Sequence, residues 1–419
     1  MNNEKVPSLK QRLSNWCFTH IPFLFAGTGA YRRWREYQQA PVNKDERPLV
    51  LVCDVQTPRP DRDSGSIDAD NYMRMLRELG FQVVFFPFDM RHDGPYTYRL
   101  EEMGIQPLFY PMIDSLERHL EVHGPKYDLA LLNRAQEDPA LAYTVKRLCP
   151  NARIVFNTVD LHFLRLQRQA EMEDSVQLLE KSREYREIEF DIMRISDATI
   201  VISSVEKDLL SEEAPDLDVF HIPYVRETQA QGCDFSERRD LVFVGGFAHP
   251  PNVDAIHYFV NEVWHEVRAA LPGVRLIVIG SNMPESVTDL GHAPDIDTLG
   301  FVEHLTPVLN RCRLSIAPLR YGAGIKGKVG TSLAHGLPCV ATPIAAEGMP
   351  LIHRKNIMIA RDAGEFSESV VAAYTDKDLW QDLSLNGTRL FKEHYSFSIG
   401  LKRVDSLLAA ISSETHDDS

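Results

Sequence analysis

The sequence predicts an α/β protein built from two similar halves, each a parallel sheet with helices on both faces. From residue 48, short apolar runs alternate with helical patterns, as in repeated strand-helix-strand units. A polar, unpatterned stretch at residues 226–240 interrupts this alternation, which then restarts. The 419 residues, 44% of them hydrophobic, suffice for two domains with separate cores. We therefore expect two domains that face each other across a cleft.

The strands of the first half are predicted from apolar runs bounded by polar loops. They cover residues 48–55, 81–88, 127–133, 152–158, 198–203 and 219–225. Amphipathic patterns that end at glycine or before a strand predict the helices between them. These cover residues 67–79, 112–123 and 165–195, with a helix-glycine-strand unit in 100–110 and a serine-capped helix that begins in SVEKDLL, residues 204–210.

The second half repeats the pattern. Its predicted strands cover residues 241–246, 274–280, 298–302, 314–319, 338–343 and 357–360. Its predicted helices cover residues 252–270, 304–310 and 328–335, followed by two closing helices. The expected organisation is an amphipathic segment at 1–46, a first domain at 47–228, a linker at 229–240, a second domain at 241–395, and a closing helix with a disordered tail at 396–419. Ligands of open α/β sheets bind at the carboxyl ends of the strands, so loops of both halves should line the cleft.

The composition indicates which classes of binding partner and which cellular compartment to expect. The formal charge of −15 argues against nucleic acid as a bulk partner, although a local basic site could still hold phosphates. The scattered cysteines form no Cys-x-x-Cys pair, which is typical of reduced thiols in a cytoplasmic protein; they are Cys17, Cys53, Cys149, Cys233, Cys312 and Cys339. The sequence has neither a long apolar run nor the pattern of a signal peptide, so we expect a soluble or peripheral cytoplasmic protein.

Residues 5–40 differ in character from the rest of the chain. They mix aromatic residues with lysine and arginine, as interfacial amphipathic segments do. Two interpretations stay open, because the segment could dock on the protein's own body or contact the inner face of a membrane.

Residues 321–348 are the most informative stretch. A turn rich in glycine and lysine leads there into a short helix, a Gly-Leu-Pro stop and an apolar strand. Its glycines let backbone amides approach an anion closely, and the helix N-terminus and two lysines add positive charge. These residues are Gly322, Gly324, Gly327, Lys326 and Lys328. The pattern predicts a site for a nucleotide diphosphate, although solvated loop lysines would give the same pattern.

Several motifs, in the same order along the chain, resemble one protein family. They are TPRPDRDSGS, FNTVDLHFLR and SDATIVISSVEKDLL in the first half, and LVFVGGFAHPPNVDAIHYF, LIVIGS, TLGFVEHL and residues 321–348 in the second. From about residue 48 to residue 400 the chain is similar to retaining glycosyltransferases of family 4, in a subgroup of polysaccharide or O-antigen type. The resemblance implies the GT-B fold, in which two Rossmann-like domains face each other across a cleft between donor and acceptor sites.

The resemblance also implies an activity. A sugar would pass from a nucleotide-diphosphate sugar to a growing cell-surface glycan (a polysaccharide, a lipopolysaccharide or a lipid-linked acceptor), with retention of configuration and without a cofactor. The implied donor-binding residues are Gly245, Gly246, His249, Asn252, Arg320, Gly324, Lys326, Lys328, Thr331, Glu347 and Gly348. Plainer interpretations remain open, namely a tight turn at Gly245, a helix cap at Glu347 and a surface ion pair at Arg320.

On the acceptor side, the resemblance implies a catalytic loop. The family places the loop of FNTVDLHFLR under the transferred sugar, which implies roles for Asp160 and His162, while Lys328 would stabilise the leaving group. A packed structural histidine is the competing interpretation. The implied acceptor-side residues are Asp61, Arg62, Asp63, Gly65, Asn133 and Arg134. No Asp-x-Asp motif precedes a strand end, and we expect no metal at the nearest such pair, Asp61 and Asp63.

One departure from the family pattern concerns activity. Members usually carry two glutamates eight positions apart in the donor site, and the aligned positions here hold Ala323 and Thr331. We still expect an active glycosyltransferase. The alternatives are a non-catalytic nucleotide- or glycan-binding module of the same fold and a nucleotide-sugar epimerase, which is disfavoured because acid and base side chains are sparse around the donor loop.

Overall fold

The computed structural model describes residues 45–62, 64–134, 139–227 and 233–413 of the chain. These residues form two parallel sheets, one of seven strands and one of six, with helices between successive strands. The prediction of two α/β halves with parallel sheets is therefore confirmed.

The first domain contains the seven-stranded sheet. Its strands are β1 (Leu49–Asp54), β2 (Gln82–Pro87), β3 (Gln106–Pro107), β4 (Leu129–Asn133), β5 (Arg153–Asn157), β6 (Ala198–Val201) and β7 (Val219–His221). Its helices are α1 (Ser64–Glu78), α2 (Pro95–Glu102), α3 (Leu116–His123), α4 (Ala140–Leu148), α5 (His162–Glu173), α6 (Val176–Ile195) and α7 (Ser204–Glu213). The strand order is β3-β2-β1-β4-β5-β6-β7, so the chain winds outward from β1 in both directions, as in a Rossmann-like domain.

The second domain contains the six-stranded sheet. Its strands are β8 (Asp240–Val244), β9 (Leu276–Ile279), β10 (Ile296–Gly300), β11 (Cys312–Ala317), β12 (Cys339–Ala341) and β13 (Met358–Ile359), in the order β10-β9-β8-β11-β12-β13. The helices that follow β8 are α8 (Pro250–Tyr258), α9 (Trp264–Ala270), α10 (Glu285–Thr288), α11 (Thr306–Leu309), α12 (Gly327–Ala334), α13 (Pro343–Ala346), α14 (Ala363–Thr375), α15 (Lys377–Tyr395) and α16 (Phe397–Ser413).

Both sheets are covered on both faces, which explains why their strands read as continuous apolar runs. Every residue of β1 is buried, and its alternate side chains belong to two separate apolar clusters, one on each face of the sheet. Helix α16 follows the second domain in sequence, but it packs on the first. Its residues Val404, Leu407 and Ile411 share a cluster with Val50 and Val52 of β1, so the chain crosses between the domains twice.

The structure corrects two helix predictions. The helix expected at 165–195 is two helices, because Asp174 adopts a left-handed conformation with φ of 49° and Ser175 then caps α6 through Leu178 N. Helix α6 folds back along α5, and Ser182 Oγ donates a hydrogen bond to Phe163 O. At the end of the chain three helices follow β13 instead of two.

Some predictions fall on residues outside the described ranges. These include the amphipathic segment at 5–40, Asp63 of the acceptor side, residues 228–232 of the linker region and the tail at 414–419. In the part of the chain that the structure describes, no helix is both long and apolar enough to cross a membrane. The five cysteines in that part are free thiols, four of them buried; they are Cys53, Cys149, Cys233, Cys312 and Cys339.

The two sheets face each other through the loops at the carboxyl ends of their strands. At one end of the cleft, Ser281 Oγ donates a 3.2 Å hydrogen bond to Arg62 O, and the Arg62 guanidinium lies 3.5 Å from the centre of the Phe301 ring. At the other end, a Cβ added to Gly324 would lie 3.3 Å from the Cβ of Asp160. The structure therefore shows the two domains in contact on both sides of the cleft.

Candidate active site

The loop from Tyr321 to Lys328 folds as a glycine-dependent turn in front of a helix. Gly322 and Gly324 have φ of 142° and 65°, values that residues other than glycine rarely adopt. Helix α12 begins directly afterwards at Gly327, and the Lys326 backbone is extended at its N-cap position. The free backbone N–H groups of the first helical turn thus point out of the second domain toward the cleft.

The two lysines of this loop are withdrawn from water. The residue Lys326 is 7% exposed, and its Nζ donates to Ala323 O at 3.1 Å and to Gly324 O at 2.5 Å. Lys328 Nζ donates to Asn252 Oδ1 at 2.6 Å. Burial lowers the pKa of both lysines, and that of Lys328 falls to about 7 because the charge of Lys326 adds to the effect of burial. Among the described residues neither ammonium lies within 4.0 Å of a carboxylate, so their direct partners are neutral oxygen atoms.

Asn252 joins Lys328 to the glycine turn after β8. Its Nδ2 donates to Gly246 O at 2.8 Å, while its Oδ1 accepts from Lys328. A Cβ added to Gly245 would lie 2.9 Å from Asn252 Cγ, so the turn can approach Asn252 only because Gly245 lacks a side chain. His249 immediately precedes α8 and is exposed at the cleft. The structure thus brings together the predicted residues of both donor-side motifs.

The loop between β5 and α5 carries Asp160 and His162 opposite the glycine turn. Asp160 Oδ2 accepts a 2.8 Å hydrogen bond from Arg165 Nε, and its Oδ1 lies 3.6 Å from His162 Nε2. Burial alone would raise the pKa of Asp160, but the positive charges of His162, when it is protonated, and of Arg165 outweigh the effect of burial and lower the pKa to about 2. Asp160 is therefore an anion near neutral pH. Burial lowers the pKa of His162, which favours a neutral imidazole.

Two buried carboxylates hold this loop in place. Glu206 of α7 accepts from Leu161 N at 3.1 Å, and Glu189 of α6 accepts from His162 N at 2.9 Å and from Phe163 N at 3.0 Å. Three consecutive backbone N–H groups at the start of α5 are thereby satisfied by side chains from two other helices. Burial raises the pKa of both carboxyl groups, that of Glu189 to about 8. Neither Glu206 nor Glu189 was singled out from the sequence as a site residue.

The remaining predicted acceptor-side residues lie near the carboxyl ends of the strands of the first domain. Asp61 and Arg62 are exposed, and Asp61 accepts a 2.9 Å hydrogen bond from the Tyr96 hydroxyl. Gly65 lies in the first turn of α1, where sequence reasoning expected a loop. Asn133 is buried and accepts from Asn157 Nδ2 at 2.8 Å, and Arg134 pairs with Asp54 at 3.3 Å; Asn133 and Arg134 therefore contact neighbouring strand ends.

Three predicted donor residues have partners that the sequence did not reveal. Arg320 forms an ion pair with Asp254 of α8, its Nε donating at 2.9 Å, so the surface ion pair is the interpretation that the structure favours. The carboxylate of Glu347 accepts from Arg168 of the first domain at 2.7 Å and 3.0 Å, and the residue stands at the C-terminal end of α13 instead of at a helix N-terminus. Gly348 has φ of 80°, and an added Cβ would lie 2.5 Å from Ser203 Oγ, so glycine is needed where the domains meet.

Of the two positions that depart from the family pattern, one lies in the loop before α12 and the other lies in α12 itself. Ala323 is buried and its carbonyl accepts from Lys326, while Thr331 lies inside α12 and is partly exposed. Neither side chain carries a charge. Within the described ranges, no cluster of three or more His, Cys, Asp or Glu side chains could hold a metal ion.

Comparison with known proteins supports this interpretation of the second domain. Residues 238–376 match the model of the family described as "Glycosyl transferases group 1", so this domain is similar to the domains of that family. A curated relative, an "Uncharacterized 44.6 kDa protein in cps region" of Klebsiella pneumoniae, is 22% identical over 183 residues, which are 42% of this chain and 47% of that protein. The match thus spans about half the length of that relative.

Solved glycosyltransferase structures share the fold of both domains. Sucrose-phosphate synthase from Thermosynechococcus elongatus superposes with a TM-score of 0.66 at 14% identity, over 88% of this chain and 100% of that one. Anabaena HepE in complex with UDP-glucose gives a TM-score of 0.59 at 13% identity, over 86% and 99%. WaaG, "a glycosyltransferase involved in lipopolysaccharide biosynthesis", gives 0.59 at 13% identity, over 85% and 99%. The chain therefore has the GT-B fold.

Proposed function

We propose that the protein is a retaining glycosyltransferase that moves a sugar from a nucleotide-diphosphate sugar to a growing cell-surface glycan. The observation that carries the proposal is the pair of withdrawn lysines, Lys326 and Lys328, at the N-terminus of α12. Lys326 is buried and Lys328 partly buried, and the direct contacts of each ammonium group are neutral oxygen atoms. Such a cation gains most from an anionic ligand, because burial without a contacting counter-charge is costly.

The donor would place its diphosphate between the glycine turn after β8 and the start of α12. Backbone N–H groups of both elements and the two ammonium groups would then neutralise the phosphates. UDP-glucose bound to Anabaena HepE, a protein of the same fold, supports this kind of donor. The charge of a leaving diphosphate grows during sugar transfer, so these cations would act most strongly in the transition state.

The acceptor would approach from the first domain. Asp160, held as an anion, and His162, held neutral, lie across the cleft from the donor loop and would contact the transferred sugar. Retention of configuration is what the family resemblance implies. Because the sequence shows no obvious nucleophile pair, we propose departure and attack on one face of the sugar, with the leaving phosphate accepting the acceptor's proton. We further propose that transfer needs neither a metal ion nor a cofactor.

A cell-surface glycan is the acceptor class that the comparisons favour. WaaG takes part in lipopolysaccharide biosynthesis, and the Klebsiella relative belongs to a cps region. We therefore propose a cytoplasmic enzyme that works on lipid-linked or polysaccharide acceptors at the inner face of the membrane, with residues 5–40 as the contact.

A thermal-shift screen of the full chain against UDP, GDP, ADP, TDP and CDP, with and without EDTA, tests the proposal. A ligand that binds the folded state raises the apparent melting temperature. We expect one diphosphate to raise it, and to do so equally in EDTA. A chain stabilised by none of the five would contradict the donor site, and a shift abolished by EDTA would contradict metal independence.

A non-catalytic module that binds a nucleotide or a glycan is the second candidate. The neutral side chains of Ala323 and Thr331, in place of two glutamates, favour it. A nucleotide-binding module would bind the diphosphate as the enzyme does, but only the enzyme releases a nucleoside diphosphate from its sugar derivative. Measurement of that release separates them.

A further inference from the structure

We propose that Arg168 is a positioning residue that fastens the donor loops of the second domain to the first domain and so holds the cleft closed. Its link to the donor rests on the proposed function. Arg168 lies on α5, two turns after the Asp160 and His162 loop, and reaches across the cleft.

Among the residues that the structure describes, Arg168 donates three hydrogen bonds, all to the second domain. Its Nη1 donates to Gly322 O at 2.7 Å and to Glu347 Oε1 at 2.7 Å, and its Nη2 donates to Glu347 Oε2 at 3.0 Å. Gly322 belongs to the loop between β11 and α12, and Glu347 follows α13, the short helix after β12. One guanidinium therefore fixes the segments that follow two neighbouring strands of the second sheet.

The ion pair between Arg168 and Glu347 is largely shielded from solvent. The side chains of Arg168 and Glu347 are each 20% exposed, in contrast to more exposed pairs such as Arg186 and Glu213, at 46% and 34%. A bidentate pair between arginine and carboxylate with little exposure is stronger than an exposed ion pair. Its loss would leave the Glu347 carboxylate and the Gly322 carbonyl without these donors.

Helix α5 also connects this contact to the acceptor loop. Glu206 and Glu189 fix the first amides of α5 to the first domain, and Gly324 packs against Asp160 on the same side of the cleft. The position of the donor loop is thereby set relative to Asp160 and His162 by a single rigid helix. Both oxygens of Glu347 accept from Arg168, so Glu347 can act on donor binding through the position of its segment.

Arginine is required for this role. A guanidinium offers five N–H donors in a fixed plane, so it can serve a carboxylate and a carbonyl at once. A lysine ammonium keeps the charge but cannot reproduce the bidentate geometry. Arg168→Lys should therefore behave more like Arg168→Ala than like the wild type.

The experiment measures domain separation directly. Cysteines introduced by Glu121→Cys in the first domain and Glu368→Cys in the second, both exposed positions, carry spin labels in a full-length background with Cys17→Ser and Cys233→Ser. The distance distribution between the labels is recorded for the unchanged background, Arg168→Ala, Arg168→Lys, Glu347→Ala and the Arg168→Ala/Glu347→Ala double variant. Arg186→Ala, which removes an ion pair inside the first domain, is the matched control.

The same proteins are titrated with UDP, GDP, ADP, TDP and CDP in turn. We expect Arg168→Ala and Glu347→Ala to shift the distances to longer values. The double variant should add nothing beyond Arg168→Ala, because Arg168→Ala already removes the contact with Glu347 as well as the one with Gly322 O. Binding of the diphosphate that the background protein accepts should weaken by roughly tenfold in these variants and stay unchanged in Arg186→Ala.

The outcomes distinguish a failure of this inference from a failure of the proposed function. Unchanged distances in both Arg168→Ala and Glu347→Ala would overturn it, and so would additive effects in the double variant. Glu347→Ala keeps the test decisive if Arg168→Ala fails to fold. If the background protein binds none of the five diphosphates, the proposed function fails, and the label distances still decide whether Arg168 holds the domains together.

Discussion

Lys328 donates a 2.6 Å hydrogen bond to Asn252, which in turn donates a 2.8 Å hydrogen bond to the carbonyl of Gly246. This chain of contacts ties the lysine of the loop after β11 to the glycine turn after β8. Both elements lie at carboxyl ends of neighbouring strands of the second sheet. An anion bound between them would touch amides from one element and an ammonium from the other.

Removal of the two ammonium groups should abolish nucleotide binding. Lys326→Ala/Lys328→Ala deletes the positive charge beside α12, so we expect a loss of affinity of at least a hundredfold for the preferred nucleoside diphosphate, or about 2.7 kcal/mol. Isothermal titration calorimetry measures the affinity of both proteins for this diphosphate. Lys355→Ala, at an exposed lysine of the same domain, should bind like the wild type. Unweakened binding by the double variant would show that the donor site lies elsewhere.

Affinity for the diphosphate should fall as pH rises. Burial lowers the pKa of Lys328 to about 7, so the free protein loses this charge as pH passes that value, while a bound phosphate favours the protonated form. Between pH 7 and pH 9 we expect weaker binding and uptake of protons on binding. Calorimetry in two buffers with different ionisation enthalpies reports the protons taken up. Affinity that is constant over this range, with no proton uptake, would contradict the assignment.

Glu189 should give the wild-type chain a pH-dependent stability that Glu189→Gln lacks. In the folded state the pKa of Glu189 is about 8, above its ordinary value of 4.5. The contribution of Glu189 to the free energy of unfolding is therefore full below about pH 4.5 and is lost as pH rises through 8. The amide side chain that the substitution introduces does not ionise. The destabilisation caused by Glu189→Gln should therefore be largest near pH 5 and shrink toward pH 8.5, by on the order of 1–3 kcal/mol.

Urea denaturation of both proteins at several pH values provides the measurement. The other titrating groups are common to the two chains, so their contributions cancel in the difference. A difference in unfolding free energy that does not vary with pH would contradict the assignment of the raised pKa to Glu189.

Gly324→Ala should separate the domains as well as strain the loop. The added Cβ meets Ile202 Cδ1 at 3.2 Å and Asp160 Cβ at 3.3 Å, and the residue has φ of 65°. Gly273→Ala is the matched control, because its φ is 84° but no atom lies within 4 Å of the added Cβ. Both variants should lose about 1 kcal/mol of stability from the backbone.

The interdomain clash, at a glycine whose carbonyl also accepts from Lys326, distinguishes Gly324→Ala from Gly273→Ala. We expect Gly324→Ala to weaken diphosphate binding by roughly tenfold or more, and Gly273→Ala to leave it unchanged. Equal effects of the two variants on binding would mean that the contact between Gly324 and Asp160 has no role at the site. Calorimetric titration with the same diphosphate gives both values.

The alternation of apolar runs and amphipathic helices was enough to predict both sheets, because strands buried on two faces have a local signature. The glycine and lysine turn was equally visible, since it is contiguous in sequence. The break at Asp174 was not, because Asp174 and Ser175 lie within a run of charged residues that continues a helical pattern.

The supporting residues of the site were the part that the sequence could not reveal. Glu189, Glu206 and Arg168 lie on charged helices that resemble solvated ones, and each contacts a partner 26 to 179 positions away. Arg320 was predicted to bind the donor because it ends a strand, but its partner Asp254 lies 66 positions earlier on α8. Such pairings are set by the tertiary arrangement and not by local pattern.

Release of a nucleoside diphosphate from its sugar derivative tests the central claim most directly. The full chain is incubated with the nucleotide sugars of the base that the thermal-shift screen identifies, with and without a membrane-glycan extract as acceptor. We expect release that the acceptor stimulates and that Lys326→Ala/Lys328→Ala abolishes. Wild-type protein that binds the diphosphate but releases none from any of these donors, with acceptor present, would contradict transfer and identify a binding module.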